Sequence, residues 1–209
     1  MGIPVEVPGL DTIIPELGNA RLVVVESGAD GAKSFFVRRL ALTALRREQP
    51  VTFVISRDRG ELQQLLTTEG KLDTWAEPKI EIFERDSLDT VGEYGTNGGL
   101  LAFDSFSFLT LDLPGPSFAA LIRRFRELCH EKGTTIVLAT DRGMFEAQSE
   151  AVAMHLADGV IQFHSKEGPE GIVRYLRIPK WMDGKFVDRN IYYEFDGKRL
   201  AIDLRRRVL

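Results

Sequence analysis

The feature that most constrains the fold is the segment 21–35, which reads Arg-Leu-Val-Val-Val-Glu-Ser-Gly-Ala-Asp-Gly-Ala-Lys-Ser-Phe. Its first part is a continuous apolar run, which is typical of a strand buried on both faces of a parallel sheet. A short turn that contains Gly28 and Gly31 follows. From residue 33 to about residue 47, apolar residues recur at i+4 spacing, which predicts an amphipathic helix. A buried strand, a tight turn and a helix are therefore predicted in immediate succession.

This succession has the plan of a phosphate-binding loop of the pattern G-x-x-x-x-G-K-[ST]. In such a loop, backbone N–H groups and the helix N-terminus form a positive concavity, the lysine reaches the outer phosphates, and the next hydroxyl can bind Mg²⁺. Lys33 and Ser34 occupy the last two positions, whereas Ser27 and Ala32 stand where the pattern has glycine. We therefore predict a degenerate phosphate loop. Its nucleotide-binding residues would be Gly28, Ala29, Asp30, Gly31, Ala32, Lys33, Ser34 and Phe35.

Two residues of the loop are expected to weaken phosphate binding. Ala32 adds a Cβ where the backbone must approach phosphate, so its methyl group should narrow the pocket. Asp30 puts a negative charge in the cradle, which should repel phosphate unless the side chain faces solvent. Gly28 and Gly31 lie one position from the missing glycines and could restore the turn, in the same register or in a loop one residue shorter. An ordinary surface turn between a strand and a helix is the alternative interpretation.

The rest of the chain alternates short apolar strands with amphipathic helices, which is typical of a parallel sheet covered by helices on both faces. Strands are predicted at 22–26, 51–56, 79–83, 98–104 and 134–140, and helices at 33–47, 60–68, 117–131 and 144–156. After residue 159 the pattern changes to strands joined by turns, which predicts an antiparallel extension with hairpins at 160–163, 172–178, 191–195 and 200–204. We predict an α/β fold in a single domain of 209 residues, with a core at about 1–164 and a C-terminal β extension at about 165–209.

An acidic residue ends one of these predicted strands. Residues 100–105 read Leu-Leu-Ala-Phe-Asp-Ser, so Asp104 lies at the carboxyl end of an apolar strand, the edge where α/β sheets bind ligands. In proteins with a phosphate loop, an aspartate at this place holds Mg²⁺. A helix-cap or turn aspartate is the alternative. We predict that Ser34 and Asp104 bind Mg²⁺ together with ATP.

The composition argues against several other classes of function. A formal net charge of −4 does not suit a protein that binds nucleic acid over its whole surface, although Lys198-Arg199 and 205–207 leave a local basic patch. The three histidines lack metal-site spacing, and the single cysteine, Cys129, excludes an internal disulfide. No apolar run is long enough to span a membrane, and no signal-peptide pattern occurs. The expected location is therefore the cytoplasm, and nucleic acid is not an expected partner.

Together these motifs resemble the KaiC-like family of RecA-like domains, which includes circadian-clock ATPases and the archaellum ATP-binding component (FlaH-like proteins). The resemblance covers nearly the full length. It rests on Gly9-Leu10-Asp11, the strand 100–105 with the residues 106–109 after it, the strand 135–140, the element Ala157-Asp158-Gly159-Val160-Ile161, and the strand 174–180. It implies a RecA-like P-loop core that binds ATP with Mg²⁺, a protein partner, and the option of a homo-oligomer with nucleotide at the subunit joint.

The chain departs from this family at positions that promote hydrolysis. Where relatives carry a glutamate pair that activates the attacking water, this chain has Ser56 and Arg57, and arginine cannot accept a proton. Asp58 is the remaining candidate catalytic acid, although its arm is shorter and its position is shifted. The Lys-x-Arg motif, which in ring-forming relatives reaches the phosphate of a neighbouring subunit, reads Lys180-Trp181-Met182. Lys180 alone is therefore left for an intersubunit phosphate contact.

These departures favour an ATP-binding regulatory protein, a pseudo-ATPase with weak or no hydrolysis that acts through protein partners. Nucleotide binding would order the aperiodic segment 84–97 and thereby change a binding surface. Three alternatives remain: a RecA-like scaffold without nucleotide, a slow ATPase that uses Asp58 or another acid, and a recombinase-like accessory protein that binds single-stranded DNA. A collapsed turn, or a lysine amine covered by a neighbouring carboxylate, would favour the scaffold.

Overall fold

A computed structural model of the chain describes residues 2–18, 21–28, 31–55, 79–82, 97–168, 171–182 and 187–203. Several sequence predictions lie outside these ranges: Asp58, the loop residues Ala29 and Asp30, the helix at 60–68 and nearly all of the segment 84–97. In the described ranges the chain forms β1 (Leu22–Ser27), α1 (Ala32–Arg46), β2 (Val51–Ile55), β3 (Lys79–Ile82), β4 (Leu100–Asp104), α2 (Phe106–Leu109), α3 (Gly115–Lys132), β5 (Thr135–Asp141), α4 (Ala147–Leu156), β6 (Gly159–Gly168), β7 (Gly171–Trp181), β8 (Val187–Phe195) and β9 (Leu200–Ile202).

The nine strands form one sheet in the order β3-β2-β4-β5-β1-β6-β7-β8-β9. The neighbours from β3 to β6 pair in parallel. The neighbours from β6 to β9 pair antiparallel. The predicted α/β fold, a mostly parallel sheet with an antiparallel C-terminal extension, is therefore confirmed.

Two apolar layers cover the two faces of the sheet, and β1 contributes to both. All six residues of β1 are buried. Val23 and Val25 belong to the layer under α1. Leu22 and Val24 belong to the layer under α3 and α4. Because successive side chains of a strand point to opposite faces, a strand between two layers must be apolar throughout, as the sequence pattern indicated.

The hairpin of β6 and β7 is longer than the sequence predicted. The predicted strands covered 160–163 and 172–178, whereas the observed ones are Gly159–Gly168 and Gly171–Trp181. The added part of β6 includes exposed Ser165, Lys166 and Glu167, which carry no apolar pattern. They are strand residues because they pair with β7. The sequence also does not predict the four-residue helix α2. The helix predicted from residue 144 begins three residues later, at Ala147 of α4.

The C-terminal extension packs back onto α1. The ring of Phe195 in β8 lies 5.6 Å from that of Phe35, in the first turn of α1. Phe163 of β6 lies 5.8 Å from Phe36 and 5.3 Å from Tyr193. The extension therefore shares the apolar layer that supports the start of α1. None of the helices in the described ranges is long and apolar enough to cross a membrane.

The dipeptide Asp158-Gly159 connects β1, β6 and β7 at the edge of the sheet where the parallel strands begin. One carboxylate oxygen of Asp158 accepts the backbone N–H of Arg21 at 3.1 Å and that of Leu22 at 3.0 Å. The backbone of Asp158 also bonds to Leu22 and Met182. A Cβ on Gly159 would lie 2.6 Å from the Trp181 ring, so only glycine leaves room for that ring. The element that supports the family resemblance is therefore a joint between β1, β6 and β7.

Candidate functional site

Three strand ends meet at the carboxyl edge of the sheet. Ser27, Asp104 and Asp141 are the last residues of β1, β4 and β5, which are adjacent in the order β4-β5-β1. Ser27 stands opposite Asp141 in the register of β1 and β5. Since α1 begins just beyond β1, its first turn lies over this edge. The topology therefore brings Lys33 and Ser34 to two aspartates from later strands.

Ser34 and Asp104 are in direct contact. The Oγ of Ser34 donates a hydrogen bond of 2.8 Å to Oδ1 of Asp104. Both residues are buried, with 5% and 7% of their surface exposed. The sequence predicted these two residues as ligands of Mg²⁺, and the structure brings them together. Their binding of the ion stays a prediction.

Lys33 is paired with a carboxylate that the sequence reasoning missed. Its Nζ lies 2.5 Å from Oδ1 of Asp141, and the two side chains are 6% and 20% exposed. The second oxygen of Asp141 accepts a hydrogen bond of 2.5 Å from the hydroxyl of Ser105. The backbone N–H of Asp141 donates to Oγ of Ser107 at 2.7 Å. Asp141 ends an apolar strand just as Asp104 does, so the same rule applied to the strand after 134 would have found it.

Gly31 lies one position before Ala32, where the pattern has glycine, and is the N-cap residue of α1. Its φ of +76° is a backbone conformation that residues other than glycine rarely adopt. Apart from its own chain neighbours, no described residue has an atom within 4 Å of a Cβ built on Gly28 or on Gly31. Ala32 is fully buried and belongs to the apolar layer under α1. The core therefore accommodates the methyl group that was expected to narrow the pocket.

Two other predicted site residues have structural contacts. Phe35 is 4% exposed and packs on Phe195, so it belongs to the core. Lys180 donates to the backbone carbonyl of His155 at 2.6 Å and to that of Met154 at 3.4 Å, at the end of α4. Burial lowers the pKa of the Lys180 amine, and nearby Asp158 partly offsets this. In its own chain Lys180 therefore caps α4 at the edge opposite Lys33. Its contact with a neighbouring subunit's phosphate stays a prediction.

A second polar cluster surrounds Glu26, the residue before Ser27. Glu26 is 2% exposed. Its carboxylate accepts hydrogen bonds from Nε2 of Gln162 at 2.9 Å and from Nη2 of Arg142 at 3.4 Å. Burial and the neighbouring Glu26 carboxylate raise the pKa of Glu150. The sequence offers no reason to treat Glu26 as more than a strand end, because its partners are more than 100 residues away.

Arg142 links this cluster to the loop and to the C-terminal extension. Its backbone N–H donates to the carbonyl of Ser27 at 2.9 Å. Its Nη1 lies 3.0 Å from Nδ1 of His164, whose ring stacks on Tyr175 at 4.7 Å. Burial, followed by the positive charges of Arg142 and Arg177, lowers the pKa of His164. The residue after Asp141 thus bridges the lysine site and the first hairpin of the extension.

The residues at this edge fit a magnesium nucleotide. Hydroxyl and carboxylate oxygens are the ligands that Mg²⁺ prefers, and Ser34 and Asp104 supply one of each. α1 is 15 residues long and has no acidic residue in its first turn, so its N-terminus keeps the positive potential that favours phosphate. The buried amine of Lys33 lies in that same turn. Ser34 and Asp104 would hold the ion, while Lys33 and the start of α1 would hold phosphate oxygens.

A mostly parallel sheet with a helix that begins just beyond β1 at its carboxyl edge defines an α/β fold of the RecA-like class. No protein-family model matches the chain, and no curated protein matches its sequence. Its structure matches the KaiC-like protein PH0186 of Pyrococcus horikoshii OT3 with a TM-score of 0.76 at 17% identity, covering 97% of this chain and 99% of that one. It matches the flagellar accessory protein FlaH of Methanocaldococcus jannaschii with a TM-score of 0.75 at 15% identity, covering 97% and 98%. The chain therefore has the RecA-like fold of KaiC-like and FlaH proteins, as its motifs predicted.

Proposed function

We propose that this protein is a single-domain, cytoplasmic ATP-binding regulator with weak or no hydrolysis, which acts through protein partners. The observation that carries this proposal is the hydrogen bond between Ser34 and Asp104. Ser34 directly follows Lys33 at the start of α1. An amine, a hydroxyl and a carboxylate, from Lys33, Ser34 and Asp104, are the groups that a P-loop uses for Mg²⁺ and a polyphosphate. Bound ATP would bring a chain of anionic phosphates and a coordinated ion to this edge.

The hydrogen bonds of the carboxylates near the loop support weak or no hydrolysis. Water activation needs a carboxylate within hydrogen-bond reach of the water. Asp104 is bonded to Ser34, and Asp141 is bonded to Lys33 and Ser105. Glu26 is bonded to Gln162 and Arg142. Each of these described carboxylates is therefore engaged by a neighbour, and the positions where relatives carry glutamates hold Ser56 and Arg57.

Isothermal titration of the protein with ATP and Mg²⁺ tests the binding. We expect saturable heat for the wild type, at least tenfold weaker binding for Ser34→Ala and Lys33→Met, and unchanged binding for Lys198→Met, which alters an exposed lysine. Circular dichroism of each variant checks that it is folded. Phosphate release by the wild type should not exceed that of Lys33→Met. Absence of heat and of any thermal shift at millimolar Mg-ATP would reject the proposal.

A RecA-like scaffold without nucleotide is the second candidate, and the Lys33–Asp141 ion pair favours it. An amine held at 2.5 Å by a partly buried carboxylate already has a partner where a phosphate would have to bind. This candidate predicts that Mg-ATP changes neither the melting temperature of the protein nor the position of the Lys33 amine. A crystal grown in millimolar Mg-ATP distinguishes the two, since density for phosphates beside Lys33 would exclude the scaffold.

A further inference from the structure

The partner of Lys33 is held in place from several sides. Oδ1 of Asp141 contacts the lysine amine, and Oδ2 accepts a hydrogen bond from Ser105. Ser107 accepts the backbone N–H of Asp141. The next residue, Arg142, is tied by its own backbone N–H to Ser27 at the start of the loop. A rotation of the Asp141 side chain away from Lys33 would therefore also break its hydrogen bond with Ser105.

The ion pair between Lys33 and Asp141 lowers the net positive charge beside a bound phosphate. In a loop whose lysine is unpaired, the amine alone makes the site positive. Here the charge of Lys33 is balanced by Asp141, and Asp104 adds a second carboxylate beside Ser34. Among the described residues, Lys33, Asp141 and Asp104 therefore have a net charge of −1 in the absence of a metal ion. A divalent cation next to Ser34 and Asp104 would reverse that sign.

We propose that Asp141 is a positioning residue that holds Lys33 in the site and makes nucleotide binding depend on Mg²⁺. This inference rests on the proposed ATP binding and specifies how the same site is regulated. Without the ion, the triphosphate meets an excess of negative charge. With the ion, Lys33 can contact a phosphate oxygen while it keeps Asp141 as a second partner, because an ammonium group has three donors.

The expected size of the effect follows from Coulomb's law. A unit charge at roughly 6 Å from a phosphate, with an effective dielectric constant near 20, changes affinity by roughly 100-fold. Solvent and bound salt reduce this value at a site that is open on one side. Removing the charge of Asp141 should therefore strengthen ATP binding in the absence of Mg²⁺ by at least about tenfold.

The test compares ATP binding in EDTA with ATP binding in excess Mg²⁺, by isothermal titration of the full chain. The variants are Asp141→Asn, which keeps a hydrogen-bonding side chain, Asp141→Glu, which keeps the charge, and Glu127→Gln, which removes a charge on the exposed side of α3. We expect Asp141→Asn to bind ATP in EDTA at least tenfold more tightly than the wild type. Asp141→Glu and Glu127→Gln should keep the wild-type ratio of the two affinities. A residue with only a structural role would change both affinities alike and leave that ratio unchanged.

The outcomes separate this inference from the proposed function. Mg-ATP binding by the wild type, with an unchanged ratio in Asp141→Asn, would overturn the inference and leave the function standing. If neither protein binds ATP in either condition, the proposed function fails and the inference fails with it. Should Asp141→Asn not fold, Asp141→Ser decides, because it also removes the charge and keeps a hydrogen-bonding side chain. That variant should shift the ratio in the same direction, and an unchanged ratio overturns the inference.

Discussion

Replacement of Asp158 by alanine should cost this protein a large part of its stability. The carboxylate accepts the backbone N–H groups of Arg21 and Leu22, at the point where β1 begins. Leu22 is fully buried and Asp158 is 7% exposed, so water cannot readily replace the lost acceptor. The substitution therefore leaves the N–H groups of Arg21 and Leu22 without this acceptor at the start of the central strand.

The magnitude follows from the cost of each unpaired donor. A buried N–H without an acceptor costs about 1–3 kcal/mol, and Arg21 is less buried than Leu22, so the sum is about 2–5 kcal/mol. For a chain of this size, each kcal/mol lowers the melting temperature by about 2–4 °C, which gives a decrease of about 4–20 °C. Asp158→Asn keeps an acceptor oxygen but loses its charge, so its free energy of unfolding should fall by only about 1 kcal/mol.

Urea unfolding and thermal melting followed by circular dichroism measure both variants, and Asp196 provides a matched control. Its carboxylate also accepts two backbone N–H groups, those of Lys198 and Arg199, and these bonds lower its pKa. That turn is exposed, so water can bond to the two amides in Asp196→Ala. Equal losses of stability in Asp158→Ala and Asp196→Ala would refute the reasoning, since burial is the only difference that it uses.

Two further substitutions probe packing and charge. Gly159→Ala should lower the free energy of unfolding by about 1–3 kcal/mol, because the new Cβ would lie 2.6 Å from the Trp181 ring. Gly115→Ala, whose Cβ would meet only Ser149 at 3.8 Å, should be nearly neutral in the same thermal melts, and equal effects would contradict the packing explanation. Glu150 has a folded-state pKa above its usual 4.5, so its contribution to stability is present below about pH 4.5 and is lost as pH rises through the raised pKa. Glu150→Gln should therefore gain stability relative to the wild type from pH 4.5 upward in urea titrations at a series of pH values, and parallel curves would contradict this.

The fold was predictable because its main signals are local. The apolar run of β1, the turn at Gly28 and Gly31, and the i+4 pattern of α1 each need only a short window of sequence. Lys33 and Ser34 were singled out because the pattern of a phosphate loop fixes where each should stand, and Asp104 because it ends an apolar strand; their binding of nucleotide and metal stays a prediction. The pairing of Ser34 with Asp104, 70 residues later, then followed from the rule that parallel strands end at one edge.

The remaining features of the site depend on register, which the sequence does not reveal. Asp141 meets Lys33 because β5 lies beside β1, with Asp141 opposite Ser27. A shift of one residue would turn the aspartate to the other face of the sheet. Glu26 meets Gln162 for a related reason, because β1 and β6 pair with these two residues opposite each other. The strand-end rule places Asp141 at the carboxyl edge, but its contact with Lys33 and the contact of Glu26 with Gln162 follow only from the strand pairing.

The proposed nucleotide site and the residues that join β1, β6 and β7 lie at opposite edges of the sheet. β1 separates them by about 16 Å, five steps of about 3.3 Å along a strand. Lys33, Ser34, Asp104 and Asp141 lie at one edge, and Asp158, Gly159 and Lys180 lie at the other. Lys180 therefore cannot reach a phosphate held by its own chain. It could do so only in an assembly that sets this edge against the carboxyl edge of a second copy, and it would first have to leave the carbonyls at the end of α4. Because the edges are separate, a change such as Asp158→Asn should lower stability while the folded protein keeps its affinity for Mg-ATP.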